Sequence, residues 1–223
     1  MFSALPLVLA LSVASLSPAP REAALAVRLA DAAARFEEGT FSGEYLRTTR
    51  TEILSLSGAV LGLEEETVRV RVKNGLMAQE LVRSLEAGHD VTDERRKSWS
   101  PVSPAAEPGG ASSLPSKGAA LVFSPLPLPA GECGASFAPA VAGAALSSGR
   151  LAWDCSTLTP LWAEMTPTDA PAELSEPRVR LEFARAGELL YARRYALEGV
   201  VADGATSVKM RVVLELSDLK PAD

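Results

Sequence analysis

Few side chains in this sequence could act as acids, bases or nucleophiles at neutral pH. His89 is its single histidine, and a Ser-His-Asp hydrolase needs a histidine to accept the serine proton. The chain has no Gly-x-Ser-x-Gly motif to present a nucleophilic serine. His89 lies in Gly88-His89-Asp90, which is typical of an exposed turn. The sequence therefore predicts a protein that is not an enzyme.

The residues that could hold a metal or a cofactor form no recognised motif. One histidine and two cysteines without paired spacing are a poor set of zinc ligands. Glu64, Glu65 and Glu66 are consecutive, and in an extended segment neighbouring side chains point to opposite faces. The sequence also has no glycine-rich phosphate-binding loop. We therefore expect no metal and no cofactor, and we interpret the three glutamates as solvated charge.

The two cysteines, Cys133 and Cys155, have two interpretations. In an oxidising compartment they can form a disulfide, and closing a loop of roughly twenty residues would stabilise the fold by about 3 kcal/mol. The alternative is a pair of buried free thiols.

The N-terminal segment predicts the compartment. Residues 1–20 carry no charged side chain and contain an apolar core from Leu5 to Leu16, as in a secretory signal sequence. This core is shorter than the ~20 residues that a helix needs to cross a bilayer. We therefore expect an exported protein, with the periplasm as its destination, and no stable membrane span.

The remainder, residues 21–223, has the length of a single domain. The formal net charge is −6, from 28 acidic and 22 basic side chains. The phosphate backbone of a nucleic acid repels a protein of this sign, so a nucleic-acid partner is not expected.

Helical periodicity is confined to the start of this domain. In residues 21–38, Leu25, Leu29 and Phe36 share one face and charged side chains take the other. Gly39 then provides a C-terminal stop. We predict an amphipathic helix that packs on a sheet.

Strand-like alternation follows this helix, first in Thr40 to Glu52 and more clearly further on. Val68, Val70 and Val72 alternate with polar residues, which is typical of a strand with one face in water. Asn74-Gly75 favours a type I′ turn, so Leu76 to Leu85 should return antiparallel. A short charged helix, Asp93 to Lys97, is predicted next, with Thr92 as its N-cap.

The C-terminal third repeats this logic. Val179, Leu181 and Phe183 alternate with charged residues before the turn Ala186-Gly187, which predicts a hairpin with Leu189 to Leu197. After a turn at Asp203-Gly204, the last strand should place one row inward: Val208, Met210, Val212, Leu214 and Leu216.

A segment of different composition, residues 98–150, separates these strand-rich ends. It is rich in Pro, Gly, Ser and Ala, and we interpret it as a loop-rich insertion. The run Pro125 to Pro129 cannot supply regular hydrogen-bond donors, so it is expected to be an extended edge or polyproline-like segment.

The order of these elements resembles the periplasmic lipoprotein-carrier superfamily of LolA, LppX and their relatives. Three passages carry the resemblance: Val70 to Lys97, with the Asn74-Gly75 hairpin and the Gly88 to Thr92 turn; Leu151 to Asp154; and Glu182 to Leu219. The resemblance implies a mainly β fold with some helix, a curved antiparallel sheet forming a half-barrel with the N-terminal helix and the Pro-rich central insertion.

The resemblance also implies a function: an exported protein, not an enzyme, that shelters a lipid or the acyl chain of a lipoprotein in a concave apolar cavity. The residues expected to line it belong to the inward rows of the strands: Val68, Val70, Val72, Val179, Leu181 and Phe183. The alternative is an envelope interaction or sensor module of the same fold without a ligand, which would bind another protein through its outer sheet face and Pro-rich segment.

Overall fold

The computed structural model describes residues 42–73, 76–99, 121–139, 148–157, 159–167, 173–187, 189–203 and 206–222. The predicted signal sequence in residues 1–20 and the predicted helix in residues 21–38 lie outside the described residues. The part of the chain that is described contains no helix long and apolar enough to span a membrane.

The described chain forms eleven strands and one short helix. In chain order the elements are β1 Gly43–Leu54, β2 Val60–Lys73, β3 Leu76–Glu86, β4 His89–Asp90, α1 Thr92–Ser98, β5 Leu121–Leu126, β6 Glu132–Pro139, β7 Ser148–Asp154, β8 Pro160–Thr166, β9 Leu174–Ala186, β10 Leu189–Asp203 and β11 Thr206–Pro221.

All eleven strands belong to one antiparallel sheet, in the order β4-β3-β2-β1-β11-β10-β9-β8-β7-β6-β5. Strands that follow one another in the chain are paired, except β4 and β5, which lie at opposite edges. The pairing of β1 with β11 joins the two halves of the sheet. The sheet is curved and open, since the edge strands β4 and β5 are not neighbours. The predicted mainly β fold with a curved antiparallel sheet is confirmed at this level.

The hairpins predicted from alternation are confirmed. In β2, Val68, Val70 and Val72 are buried while Arg71 and Lys73 are exposed. β3 returns antiparallel with Lys73 opposite Leu76, across the Asn-Gly pair. Hairpins also join β9 to β10 and β10 to β11. The last strand differs in one respect: Leu214 and Leu216 are buried, whereas Val208, Met210 and Val212 are half-buried.

The short charged helix is present as α1, but its predicted cap is wrong. The N-cap position is Val91, which makes no side-chain cap, and Thr92 is the first helical residue. The Thr92 hydroxyl instead accepts the Ser84 N–H at 2.9 Å, and Asp90 Oδ1 accepts the Thr92 N–H at 3.0 Å. Thr92 is drawn into the helix because its side chain ties α1 to the adjacent strand β3.

The segment 98–150 contains more sheet than its composition indicates. Its described part includes all of β5 and β6 and the start of β7. Pro125 lies in β5, which is the edge strand. An edge strand tolerates proline because half of its backbone groups need no partner strand.

The pairing registers place most of the buried side chains of the sheet on one surface, which we call the apolar face. Two clusters form there. Cluster 1 contains Phe123, Ala135, Phe137, Leu151, Trp153, Ala163, Met165, Val179 and Leu181. Cluster 2 contains Tyr45, Val68, Val70, Val72, Leu81, Tyr191, Leu214 and Leu216. The opposite surface, the charged face, carries rows of arginine and glutamate.

Candidate functional site

A strip of half-buried apolar side chains runs along the apolar face between the two clusters. Tyr195 packs against both clusters, and Phe183 and Leu197 pack against cluster 1. The register continues the strip, because Leu197 lies opposite Val212 and Met210 lies opposite Ile53. We call these six residues the apolar strip: the half-buried Phe183, Tyr195, Leu197, Val212 and Met210, and the exposed Ile53 at its end. Large apolar groups that remain partly exposed beside a packed core are where an apolar ligand finds free surface.

Of the six residues predicted to line an apolar cavity, five flank this strip and one, Phe183, belongs to it. Val68, Val70 and Val72 belong to cluster 2, and Val179 and Leu181 belong to cluster 1. These five are between 0% and 7% exposed. Phe183 is half-buried and lies on the strip itself. The structure therefore brings the six residues to one face but divides them between two packed clusters.

The charged face is a network of ion pairs across neighbouring strands. Glu164 of β8 receives bonds from Arg150 of β7 and Arg180 of β9. Burial opposes ionisation of Glu164, but the two guanidinium groups outweigh it and lower its pKa. Arg211 of β11 donates to Glu198 at 2.6 Å and to the buried Glu52 at 3.2 Å. The Glu164 carboxylate is held ionised, which suits structural pairing rather than proton transfer.

Two cavities in the described part of the chain open on this charged face. One, of about 800 Å³, is lined by charged side chains that include Arg150, Glu164 and Arg180. The other, of about 490 Å³, is bounded by residues that include Glu52 and Lys209. Neither of these two cavities has the predominantly apolar lining that an acyl chain needs.

None of the residues weighed for acid–base chemistry belongs to the strip, although Glu64 shares its face, because Glu64 lies opposite Thr51 and Thr51 lies opposite Val212. His89 is exposed in β4, at the edge of the sheet. Glu64 lies opposite Thr51 and Glu66 lies opposite Thr49, so both are on one face of β2. Glu65 lies opposite Arg50 on the other face. Burial raises the pKa of the Glu66 carboxyl group, against the opposing effects of Arg47 and Arg95. Among the described residues, no group of three or more His, Cys, Asp or Glu side chains could hold a metal ion.

Cys133 and Cys155 are joined in a disulfide in the structure, with their Cα atoms 5.2 Å apart. The bridge ties β6 to the turn that follows β7. In the chain-entropy view, a loop of this size contributes about 3 kcal/mol to stability. It clamps the sheet beside Trp153, a buried residue of cluster 1.

Asp154 organises the same turn. Its Oδ1 accepts hydrogen bonds from the Ser156 hydroxyl at 2.6 Å and N–H at 2.9 Å, and from the Thr157 N–H at 2.7 Å and hydroxyl at 3.0 Å. The Ser156 hydroxyl makes the largest contribution to lowering the pKa of this carboxyl group, which falls to about 2. The carboxylate therefore fixes the turn in its ionised form.

Replacing Asp154 with asparagine should remove a pH-dependent part of the stability. The folded-state pKa of about 2 lies below the unfolded value near 4, so the carboxylate stabilises the fold above about pH 4 and loses this effect as the pH falls towards 2. We expect Asp154→Asn to be less stable than the wild type at pH 6 and equal to it near pH 2, measured by urea unfolding. A difference that stays constant across this range would contradict the assignment.

Sequence reasoning missed most of the apolar strip. Met210 and Val212 were expected to be fully inward, and Ile53 was not singled out. One usable signal was present: from Ile53 to Leu63 the chain has no charged side chain. This run is unusual beside the glutamates on either side of it, Glu52 and Glu64.

Comparison with known proteins gives structural likenesses only. No protein-family model and no curated protein sequence matches the chain. Among solved structures, it is similar to a LolA superfamily protein from Nitrosomonas europaea, with 13% identity over 89% of this chain and 94% of that chain and a TM-score of 0.37. A domain from Vibrio parahaemolyticus described as outer membrane lipoprotein-sorting has 13% identity over 89% and 93%, with a TM-score of 0.34.

The complex of MucA with MucB from Pseudomonas aeruginosa is a third such structure, with 10% identity over 90% of this chain and 99% of that chain and a TM-score of 0.21. The first of these solved structures is a LolA superfamily protein, and the sequence resembles the same superfamily.

Proposed function

We propose that this chain is an exported carrier, without enzymatic activity, that binds the acyl chain of a lipid or lipoprotein on its apolar strip. The observation that carries the proposal is the half-buried state of the strip between two clusters whose own side chains are packed. An acyl chain lying there would complete the burial of Phe183, Tyr195 and Leu197. The residues of the two clusters flank the bound chain as packed walls.

The driving force for binding is the removal of apolar surface from water. Each methylene that leaves water contributes about 0.8 kcal/mol. The strip offers no nucleophile or proton donor with an activated side chain, so the chain is taken up and released without chemical change. Ion pairs on the charged face join β7 to β8, β8 to β9 and β10 to β11. They support the part of the sheet that carries the strip.

A matched pair of substitutions on β11 tests this site. Val212 lies on the strip, whereas Val213 points to the other face and is 6% exposed. Valine and threonine have nearly the same shape, so Val212→Thr places one hydroxyl against the ligand at a cost of about 1–3 kcal/mol. We expect roughly tenfold weaker uptake of a fluorescent fatty acid from solution, where 1.4 kcal/mol corresponds to a factor of ten. Val213→Thr should bind the fatty acid like the wild type.

Lipid content provides the second test. Native mass spectrometry of the protein purified from its own envelope should find a lipid bound to it. A protein that carries no lipid and takes up no fatty acid would end the proposal and favour the interaction module. Equal uptake by Val212→Thr and Val213→Thr would show that the ligand binds elsewhere.

A further inference from the structure

The turn between β1 and β2 exposes a group of large apolar side chains. Ile53 is 43% exposed, Leu56 56%, Val60 59% and Leu61 62%. We call these four residues the hairpin tip. They are close in sequence and come from both strands and from the turn that joins them. A concentrated group of this kind marks a contact with a partner or a membrane, unlike apolar residues scattered singly over a surface.

The backbone of the turn satisfies much of its own hydrogen bonding. The Ser55 N–H donates to the Ala59 carbonyl oxygen at 2.8 Å, and the Gly58 N–H donates to that of Ser55 at 2.9 Å. The Ala59 N–H donates to the Ser55 hydroxyl oxygen at 3.0 Å. An N–H or carbonyl group that enters an apolar phase unpaired costs several kcal/mol. These internal bonds lower the cost of moving the turn out of water.

The charges around the hairpin tip limit how deep it can go. The charge-free run ends at Glu52, which is buried and paired with Arg50 at 2.8 Å, and at Glu64, which is exposed. From Leu61 to Glu64 the strand rises about 10 Å, at roughly 3.3 Å per residue. This distance matches the depth of about 5–10 Å that interfacial segments reach in a bilayer.

We propose that the hairpin tip docks on the surface of a lipid bilayer. A lipid surface fits better than a protein partner because Ile53 belongs both to the tip and to the apolar strip, which gives an acyl chain a continuous apolar route from bilayer to sheet. The acidic net charge and the adjacent glutamates favour a neutral headgroup over an anionic one. The choice of a lipid surface over a protein partner therefore rests on the proposed function.

Flotation with phosphatidylcholine vesicles tests the docking. The wild-type protein should float with the vesicles, and Leu56→Asp combined with Leu61→Asp should reduce the floating fraction at least tenfold. Val122→Asp is the matched control, because Val122 is 42% exposed on β5, away from the tip, and it should float like the wild type. Thermal unfolding followed by circular dichroism checks that all variants fold. Flotation of the double variant at the wild-type level would overturn the proposal.

Two fluorescence assays separate this inference from the carrier role. In uptake from solution, the tip variant should match the wild type, because all six residues of its strip are unchanged. In transfer of the same fatty acid out of vesicles, it should be at least tenfold slower. A wild-type protein that takes up fatty acid but never floats would refute the docking and leave the carrier role. One that floats but takes up no fatty acid would support the docking and refute the carrier role.

Discussion

Replacing Val70 with aspartate is expected to leave the chain unfolded at neutral pH. Val70 is 0% exposed in the centre of cluster 2, between Tyr45 on β1 and Gln79 on β3. An ionised carboxylate there would have no partner for its charge, and such burial costs more than 4 kcal/mol. This is a large part of the 5–15 kcal/mol that stabilises a typical domain. Circular dichroism and urea unfolding would measure the loss.

The control for this prediction is the same substitution at Leu61, which is 62% exposed. Leu61→Asp should unfold within about 0.5 kcal/mol of the wild type, because its carboxylate stays in water. Equal stability of the two variants would mean that the apolar face is not the core of the fold, and the position of the strip between two packed clusters would lose its basis.

Replacing Gly149 with alanine is expected to destabilise the other half of the sheet. A Cβ atom at this position would lie 2.0 Å from the Glu164 carbonyl oxygen, 2.8 Å from Met165 Cα and 2.9 Å from Phe137 Cζ. The first two are backbone atoms of the paired strand β8, which cannot move away without opening the β7–β8 ladder. We expect a loss of about 3 kcal/mol or more in urea unfolding, the upper range for overpacking.

Gly62→Ala is the matched control, since its Cβ would meet nothing closer than Ile53 Cδ1 at 3.5 Å, an ordinary contact. Alanine also costs less conformational entropy than glycine. The control should be as stable as the wild type or slightly more stable. If both glycine variants behaved alike, the close pairing of β7 with β8 would be refuted.

Local patterns were sufficient for the hairpins. Val68, Val70 and Val72 alternate with polar residues, and Asn74-Gly75 follows directly, so neighbouring residues specify both the face and the turn. The same holds for Val179, Leu181 and Phe183 before Ala186-Gly187. Composition was a poorer guide to structure between residues 98 and 150. Proline is tolerated in an edge strand such as β5, and glycine is tolerated where two strands approach closely, as at Gly149.

The candidate site was only partly within reach of sequence reasoning. The rows that contain Val70 and Leu181 were correctly placed on an apolar face. Cluster 2 is assembled by the pairing of β1 with β11, which joins residues about 160 positions apart, such as Thr49 and Leu214. No local pattern encodes a contact between such distant residues. The strip exists because of this pairing.

The amino-acid sequence by itself determined where strands run, which side of each is apolar and where most hairpins turn, because these depend on residues a few positions apart. Tertiary structure alone decided which strands lie side by side, which apolar residues become packed and which stay half-exposed. Val212 and Leu214 show the reason. They are chemically similar and lie on the same face of β11, but one is half-buried and the other is buried within cluster 2. Burial depends on what the rest of the chain brings against a residue, and that is set by long-range pairing rather than by the residue itself.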